Sequence, residues 1–193
     1  EAFTGQEIPD NWPGSLWLEG RTVVHLKDGQ ERPTHMPRGP ATKTGTGFMN
    51  PAMAPARTRS VLLLQDALEH GWLGEDRPIR ALDALCATGI RVRRWRNEIK
   101  NELQNRLHIT ANDLDARALD WAIASTNSDN DVVAIDPIDD EQIQPNFIER
   151  NGIKFQNSDA RLAMVQGSFQ WIDVDPFGSP IAFLDNALQA LGR

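Results

Sequence analysis

Ile79-Arg80-Ala81-Leu82-Asp83-Ala84-Leu85-Cys86-Ala87-Thr88-Gly89-Ile90-Arg91 is the stretch on which the fold turns. Its first part, Ile79 to Leu85, is a short apolar run that reads as a buried strand. Small residues follow, and Gly89 opens a segment to Leu103 that reads as one helix, basic on one side. A strand that runs through small residues straight into a helix brings free backbone N–H groups close to a ligand. The alternation continues downstream. Leu107 to Asn112, Ile153 to Gln156 and Phe169 to Val174 read as strands. Asp115 to Thr126, with Leu119, Ala122 and Ile123 as its apolar stripe, Asp159 to Val165 and Ile181 to Leu191 read as helices. This order predicts an α/β chain with a mainly parallel sheet and helices on both faces.

Upstream, residues 1 to 50 are rich in Pro and Gly and read as an irregular segment. Within it Arg21 to Leu26 is a candidate short strand and Pro33 to Gly47 an extended loop. Residues 58 to 72 read as a helix whose apolar face includes Val61, Leu64, Leu68 and Trp72. Asp129 to Glu149 is acidic, contains Pro137 and Pro145, and reads as an insertion or loop with a helical turn.

The strand ends carry the chemistry. The first leads through Asp83 into the small-residue loop before Gly89. The second ends in Asn112-Asp113, where a carboxylate accepts hydrogen bonds from both hydroxyls of a ribose. The third leads to Asn157-Ser158-Asp159-Ala160, where an acid accepts from an adenine amino group. The fourth ends in Asp173-Val174-Asp175-Pro176-Phe177-Gly178. Any one of these acids also suits a helix cap or a turn. The ordered set describes a nucleoside-type cofactor lying across the sheet. A dinucleotide would call for G-x-G-x-x-G after the first strand, and only Gly89 is present. S-adenosylmethionine has no phosphate to cradle, which favours a methyltransferase over an oxidoreductase. Asp175-Pro176-Phe177-Gly178 suggests the acceptor: an exocyclic amine needs hydrogen-bond acceptors to orient its nitrogen, and an aromatic ring stacks on its base. Asp175 and Phe177, rather than Asp173, are the candidates for that work.

Composition sets the outer limits. The 193 residues are 40% hydrophobic and 24% charged, ordinary values for one globular domain. No apolar run reaches membrane-spanning length, no secretory leader is visible, and Cys86 is the one cysteine, so a cytoplasmic location is expected. The net charge of −7 argues mildly against nucleic acid, but the charge is unevenly spread. Arg32, Arg38, Lys43, Arg57 and Arg59 form an acid-free basic stretch, and Arg91, Arg93, Arg94 and Arg96 a second one. Of the latter, Arg91 is the functional candidate and the others are expected in solvent. Trp72, Trp95, Trp121 and Trp171 are expected in the core, while Trp12 and Trp17 suit either a sheet edge or RNA. The four histidines show no metal spacing, and no metal is expected.

Asp175-Pro176-Phe177-Gly178-Ser179-Pro180, followed by Phe183-Leu184-Asp185, resembles the motif of the tRNA (guanine-N2)-dimethyltransferases that act on guanosine 26. Phe48-Met49-Asn50-Pro51-Ala52-Met53 with Arg57 resembles that family's N-terminal segment, and Asp83 to Arg91 its cofactor loop. The resemblance implies a Rossmann-like methyltransferase fold, S-adenosylmethionine as cofactor and tRNA as partner. It implies that Arg57 and Arg91 contact the cofactor, that Asp113 holds its ribose, and that Asp159 and Ala160 hold its adenine. Asp175 would accept the guanine amine, Phe48 and Phe177 would sandwich the flipped base, and the methyl group would pass in line to N2 once or twice. Asp83 and Gly89 complete the expected cofactor set. Ala56 and Thr58 depart from the family pattern around Arg57. The expected organisation is an N-terminal segment, 1–50, and a catalytic domain, 51–193, truncated after its fourth strand and helix and lacking a C-terminal tRNA-binding domain. Little activity is expected of such a piece alone. The same residues leave open an amine methyltransferase for another nucleic acid, such as rRNA, and a non-catalytic RNA-binding subunit.

Overall fold

A computed structural model describes residues 9, 12–26, 49–127 and 147–191. Phe48, the loop 33–47, most of the acidic stretch 129–149, His35 and the bases Arg32, Arg38 and Lys43 lie outside the described residues.

The chain begins with an antiparallel hairpin, β1 (Ser15–Glu19) and β2 (Thr22–Leu26). The sequence suggested only the second of these strands. Its turn needs Gly20, which sits at φ +60°, where a Cβ would fall 2.2 Å from Glu98 Oε1. A 3-10 turn, Pro51–Met53, capped by the Asn50 side chain, leads into helix α1 (Ala54–Glu69). This helix starts earlier than expected, because Pro55 in its first turn costs no hydrogen bond there. It also stops before Trp72, which is 67% exposed rather than in the core.

The main sheet contains β3 (Ile79–Asp83), β4 (Leu107–Asp113), β5 (Phe147–Arg150), β6 (Ile153–Asn157) and β7 (Trp171–Asp173), in the order β5-β6-β4-β3-β7. All its pairings are parallel except β5 with β6. Strand β5 occupies part of what read as an insertion. Helices α2 (Ile90–Glu98), α3 (Asn101–Gln104), α4 (Ala116–Asn127), α5 (Ala160–Gln166) and α6 (Ile181–Ala190) complete the architecture. The expected single helix from Gly89 to Leu103 is two helices. Ile99 is extended, and the Gln104 side chain donates to the carbonyls of Trp95, Arg96 and Ile99 at the end of α2, where the Trp95 carbonyl also accepts from Ile99 N.

Strand alternation sorts the core onto two faces. Ile79 and Ala81 of β3, with Ile109 of β4 and Phe155 of β6, pack under Leu64 of α1, Trp95 of α2 and Leu119 of α4. Leu82 of β3 faces the other way, toward Met164 of α5 and Ala187 of α6. The helices therefore cover both faces, as alternating strands and helices predict. The hairpin joins the body through Val24 and Leu26, which cluster with Met49 and Ile90.

Candidate active site

From β3 the chain first builds β4 and β6 on one side, then returns to lay β7 on the other. Strand order reverses at β3, and ligands in open parallel sheets bind at such a point, beyond the carboxyl ends of the strands. A cavity of about 840 Å³ lies there, lined by Asp83, Ala87, Thr88, Arg91, Asp113, Asp175 and Phe177, with Met49, Asn50 and Arg57 on its rim. That volume suits a small-molecule ligand.

The loop after β3 is held from two sides. Cys86 N donates to the Asn112 carbonyl and Ala87 N to Asp113 Oδ2, at 2.8 Å each. Asp113 Oδ1 accepts from Asp115 N at 2.9 Å. Asp113 thus pins the loop beside the cavity it lines. Gly89 is not among the residues lining the cavity. It stands at φ +68°, and a Cβ there would meet the Ala122 side chain at 2.9 Å. Its small size serves the packing of α2 on α4.

Arg91 is the hub of the site. Nη1 donates to Asp173 Oδ2 at 2.9 Å, Nη2 to Asp175 Oδ2 at 2.5 Å, and Nε lies 3.8 Å from Asp83 Oδ2. These carboxylates are increasingly exposed, with side-chain exposures of 3% for Asp83, 16% for Asp173 and 35% for Asp175. Asp83 and Asp173 are register partners on neighbouring strands, which puts both on one face of the sheet. Burial, reinforced by the nearby Asp173 and Asp175 and opposed by Arg91, pushes the Asp83 carboxyl up to about 7. Its Oδ1 is buried without a hydrogen-bond partner, as is Thr88 Oγ1. Buried polar atoms rarely stay unpaired, and both of these residues line the cavity.

Arg57 borders the cavity, but its guanidinium is committed inward. It holds Glu19 through Nε and Nη2 at 2.7 and 2.6 Å and also donates to the Asn50 carbonyl. Arg94 reaches Glu19 at 3.1 Å and Glu98 at 2.7 Å. Arg93 and Arg94 are fully or nearly fully buried, against the expectation of solvent exposure. Burial works against the Glu19 carboxylate, yet Arg57 and Arg94 outweigh it and hold the group below the ordinary carboxylate value.

Asp159 and Ala160 are not among the lining residues. Asp159 caps α5 through Arg161 N and pairs with the Arg161 guanidinium, which holds its carboxyl at about 2. Ala160 is buried against α6. Phe177 lines the mouth and is 56% exposed. Sequence reasoning passed over Asp173, Thr88 and Ser60. The parity of Asp173 with Trp171 hinted at its face, but only the pairing of β3 with β7 brings it to Asp83.

The family model described as TRM, N2,N2-dimethylguanosine tRNA methyltransferase, matches residues 24–193. The chain belongs to the N2,N2-dimethylguanosine tRNA methyltransferase family. Among curated members, the tRNA (guanine(26)-N(2))-dimethyltransferase of Pyrococcus furiosus is 35% identical over 150 residues, covering 76% of this chain and 34% of the relative. The enzyme of the same name from Thermococcus kodakarensis is 31% identical over 175 residues, covering 89% and 41%. A solved structure of Trm1 from Pyrococcus horikoshii with S-adenosyl-L-methionine superposes with a TM-score of 0.62 at 26% identity, covering 90% of this chain and 39% of that one. The chain thus spans 34–41% of the length of these relatives. The N2,N2-dimethylguanosine tRNA methyltransferase match accords with the Rossmann-like sheet and with the resemblance of the Asp175 and Asn50 motifs. Among the described residues no helix is long and apolar enough to cross a membrane, and no His, Cys, Asp and Glu group is arranged to hold a metal ion.

Proposed function

We propose that this chain provides the catalytic cleft for methyl transfer from S-adenosylmethionine to the exocyclic N2 of a guanine in tRNA, position 26 being the expected site. One observation carries the reading: the loop after β3 and the Asp175-Pro176-Phe177 turn line one cavity. A cofactor platform and an amine-recognising turn thereby share a single space. The residues present fit the cofactor. Asp83 Oδ1 and Thr88 Oγ1 offer buried hydrogen-bonding positions for an amino-acid ammonium group, Asp113 offers acceptors for ribose hydroxyls, and the exposed Leu114 offers apolar surface for a purine. When bound, S-adenosylmethionine supplies a methyl group on an electron-poor sulfonium.

The residues of the chain then position the acceptor. Asp175 accepts a hydrogen bond from the guanine amino group and turns the nitrogen lone pair toward the methyl group. Arg91 holds one Asp175 oxygen, which fixes the direction of the other. Phe177 stacks on the extruded base, worth about 1–3 kcal/mol. Pro176 stiffens the turn that carries both. Arg57 serves the cofactor side by pinning the Met49-Asn50 segment at the rim. In this reading residues 51–193 form the catalytic domain and the protein works in the cytoplasm on tRNA.

The test is incubation of the full-length protein that carries this chain with methyl-labelled S-adenosylmethionine and unmodified tRNA, followed by mapping of the label. Label on guanine N2 is the expected result; label on adenine, or on rRNA alone, sinks the proposal. Asp175→Ala should lower transfer about 100- to 1,000-fold with cofactor affinity kept within about threefold, a free-energy change under roughly 1 kcal/mol.

A further inference from the structure

We infer that Ser60, on α1, is a positioning residue for Asp175, acting through Asp173 and Arg91. The inference rests on the proposed role of Asp175 as acceptor of the amine. Ser60 Oγ donates to Asp173 Oδ2 at 2.8 Å, and Trp95 Nε1 donates to Ser60 Oγ at 3.1 Å. An indole N–H only donates, so it occupies a lone pair of the hydroxyl and leaves the hydroxyl hydrogen for the carboxylate. The direction of the Ser60 hydroxyl is therefore set by a side chain that is itself fully buried.

The consequence runs outward. Asp173 Oδ2, which receives the Ser60 proton, also receives Arg91 Nη1 at 2.9 Å. A guanidinium is planar and rigid, so fixing Nη1 fixes Nη2, and Nη2 holds Asp175. The line Trp95–Ser60–Asp173–Arg91–Asp175 leads from the core to the cavity mouth. It ties α1 and α2 to the loop after β7, elements that share no sequence neighbourhood. Without the hydroxyl, Asp173 keeps Arg91 but loses the group that defines its rotamer, and Arg91 is then free to swing between Asp173, Asp83 and Asp175. A packing role for Ser60 alone gives no reason for this hydroxyl to lie between an indole N–H and a carboxylate.

Two measurements test this on the same preparations. The first compares Ser60→Ala and Ser60→Thr in the methyl-transfer assay. Ser60→Ala should lower kcat about tenfold or more, the scale of one lost hydrogen bond to a charged group, with KM for S-adenosylmethionine within about twofold. Ser60→Thr keeps the hydroxyl and should recover most of kcat. Equal kcat in wild type and Ser60→Ala overturns the inference, as does a folded Ser60→Thr that is as slow as Ser60→Ala. The second is activity-independent: nitrogen-15 NMR of the Arg91 guanidinium, assigned by loss of its signals in Arg91→Lys. Separate, slowly exchanging Nη resonances are expected in wild type and averaged ones in Ser60→Ala. Identical spectra overturn the inference. If the wild type methylates no guanine N2, the functional reading fails, and the NMR comparison still decides whether Ser60 holds Arg91.

Discussion

Helix α2 carries two buried ion clusters that look alike and differ in one respect. Around Arg94 and Arg57, two guanidiniums face two carboxylates, Glu19 and Glu98. Around Arg91, one guanidinium faces three, Asp83, Asp173 and Asp175. The first cluster is balanced and closed, and it clamps the N-terminal hairpin to the body. The second has surplus negative charge, opens into a cavity, and leaves a buried carboxylate oxygen unpaired. Balanced burial is a structural solution, whereas surplus acceptors at a cavity are a site waiting for donors.

The sharpest way to break this contrast is Arg91→Met. It strands three neighbouring carboxylates, and denaturant unfolding at pH 7 should show a loss of about 3–5 kcal/mol; a loss under 1 kcal/mol would mean that the carboxylates are not coupled through Arg91. Next comes Glu19→Gln in the closed cluster, which leaves Arg57 without its ionic partner. Stability should fall by about 2–3 kcal/mol while cofactor affinity per folded molecule stays unchanged. A large drop in affinity would move Glu19 into the site.

Asp83→Asn probes the surplus charge. Burial holds the folded carboxyl at about 7 against its ordinary 3.8, so between those values the native state binds the extra proton. Wild-type stability therefore loses this contribution as pH rises through that window. The amide has no such dependence, so the stability of the variant relative to wild type should rise from pH 4 to pH 7 and then level off. Equal pH profiles from urea titrations would remove the shift. The smallest effect belongs to Asp159→Ala, which loses the α5 cap and an exposed pair with Arg161, about 0.5–1 kcal/mol. A cofactor affinity that fell tenfold would support the adenine role that the resemblance implies for Asp159.

The pattern of strands and helices was legible because periodicity and small-residue punctuation are local properties. Asp83, Asp113 and Asp175 were legible because acids at successive strand ends converge on one rim of any parallel sheet. The hairpin strand β1 was not: Leu16-Trp17-Leu18 is largely exposed, so no burial pattern marked it. The burial of Arg93 and Arg94 was hidden for a different reason. A basic helix face looks solvated until Glu19, distant in sequence, and the Val23 carbonyl arrive to receive it.

By itself the sequence determined that acid-tipped parallel strands would meet a single Gly-led helix, and that Asp175-Pro176-Phe177-Gly178 would follow the last of them. Tertiary structure decided what each acid faces. Asp159 turned to its own helix, Asp113 to the loop beside it, and Asp83, Asp173 and Asp175 to one arginine. A side chain's partners depend on which strands become neighbours. That choice is made by burying apolar faces across the whole sheet, and no local stretch of residues encodes it.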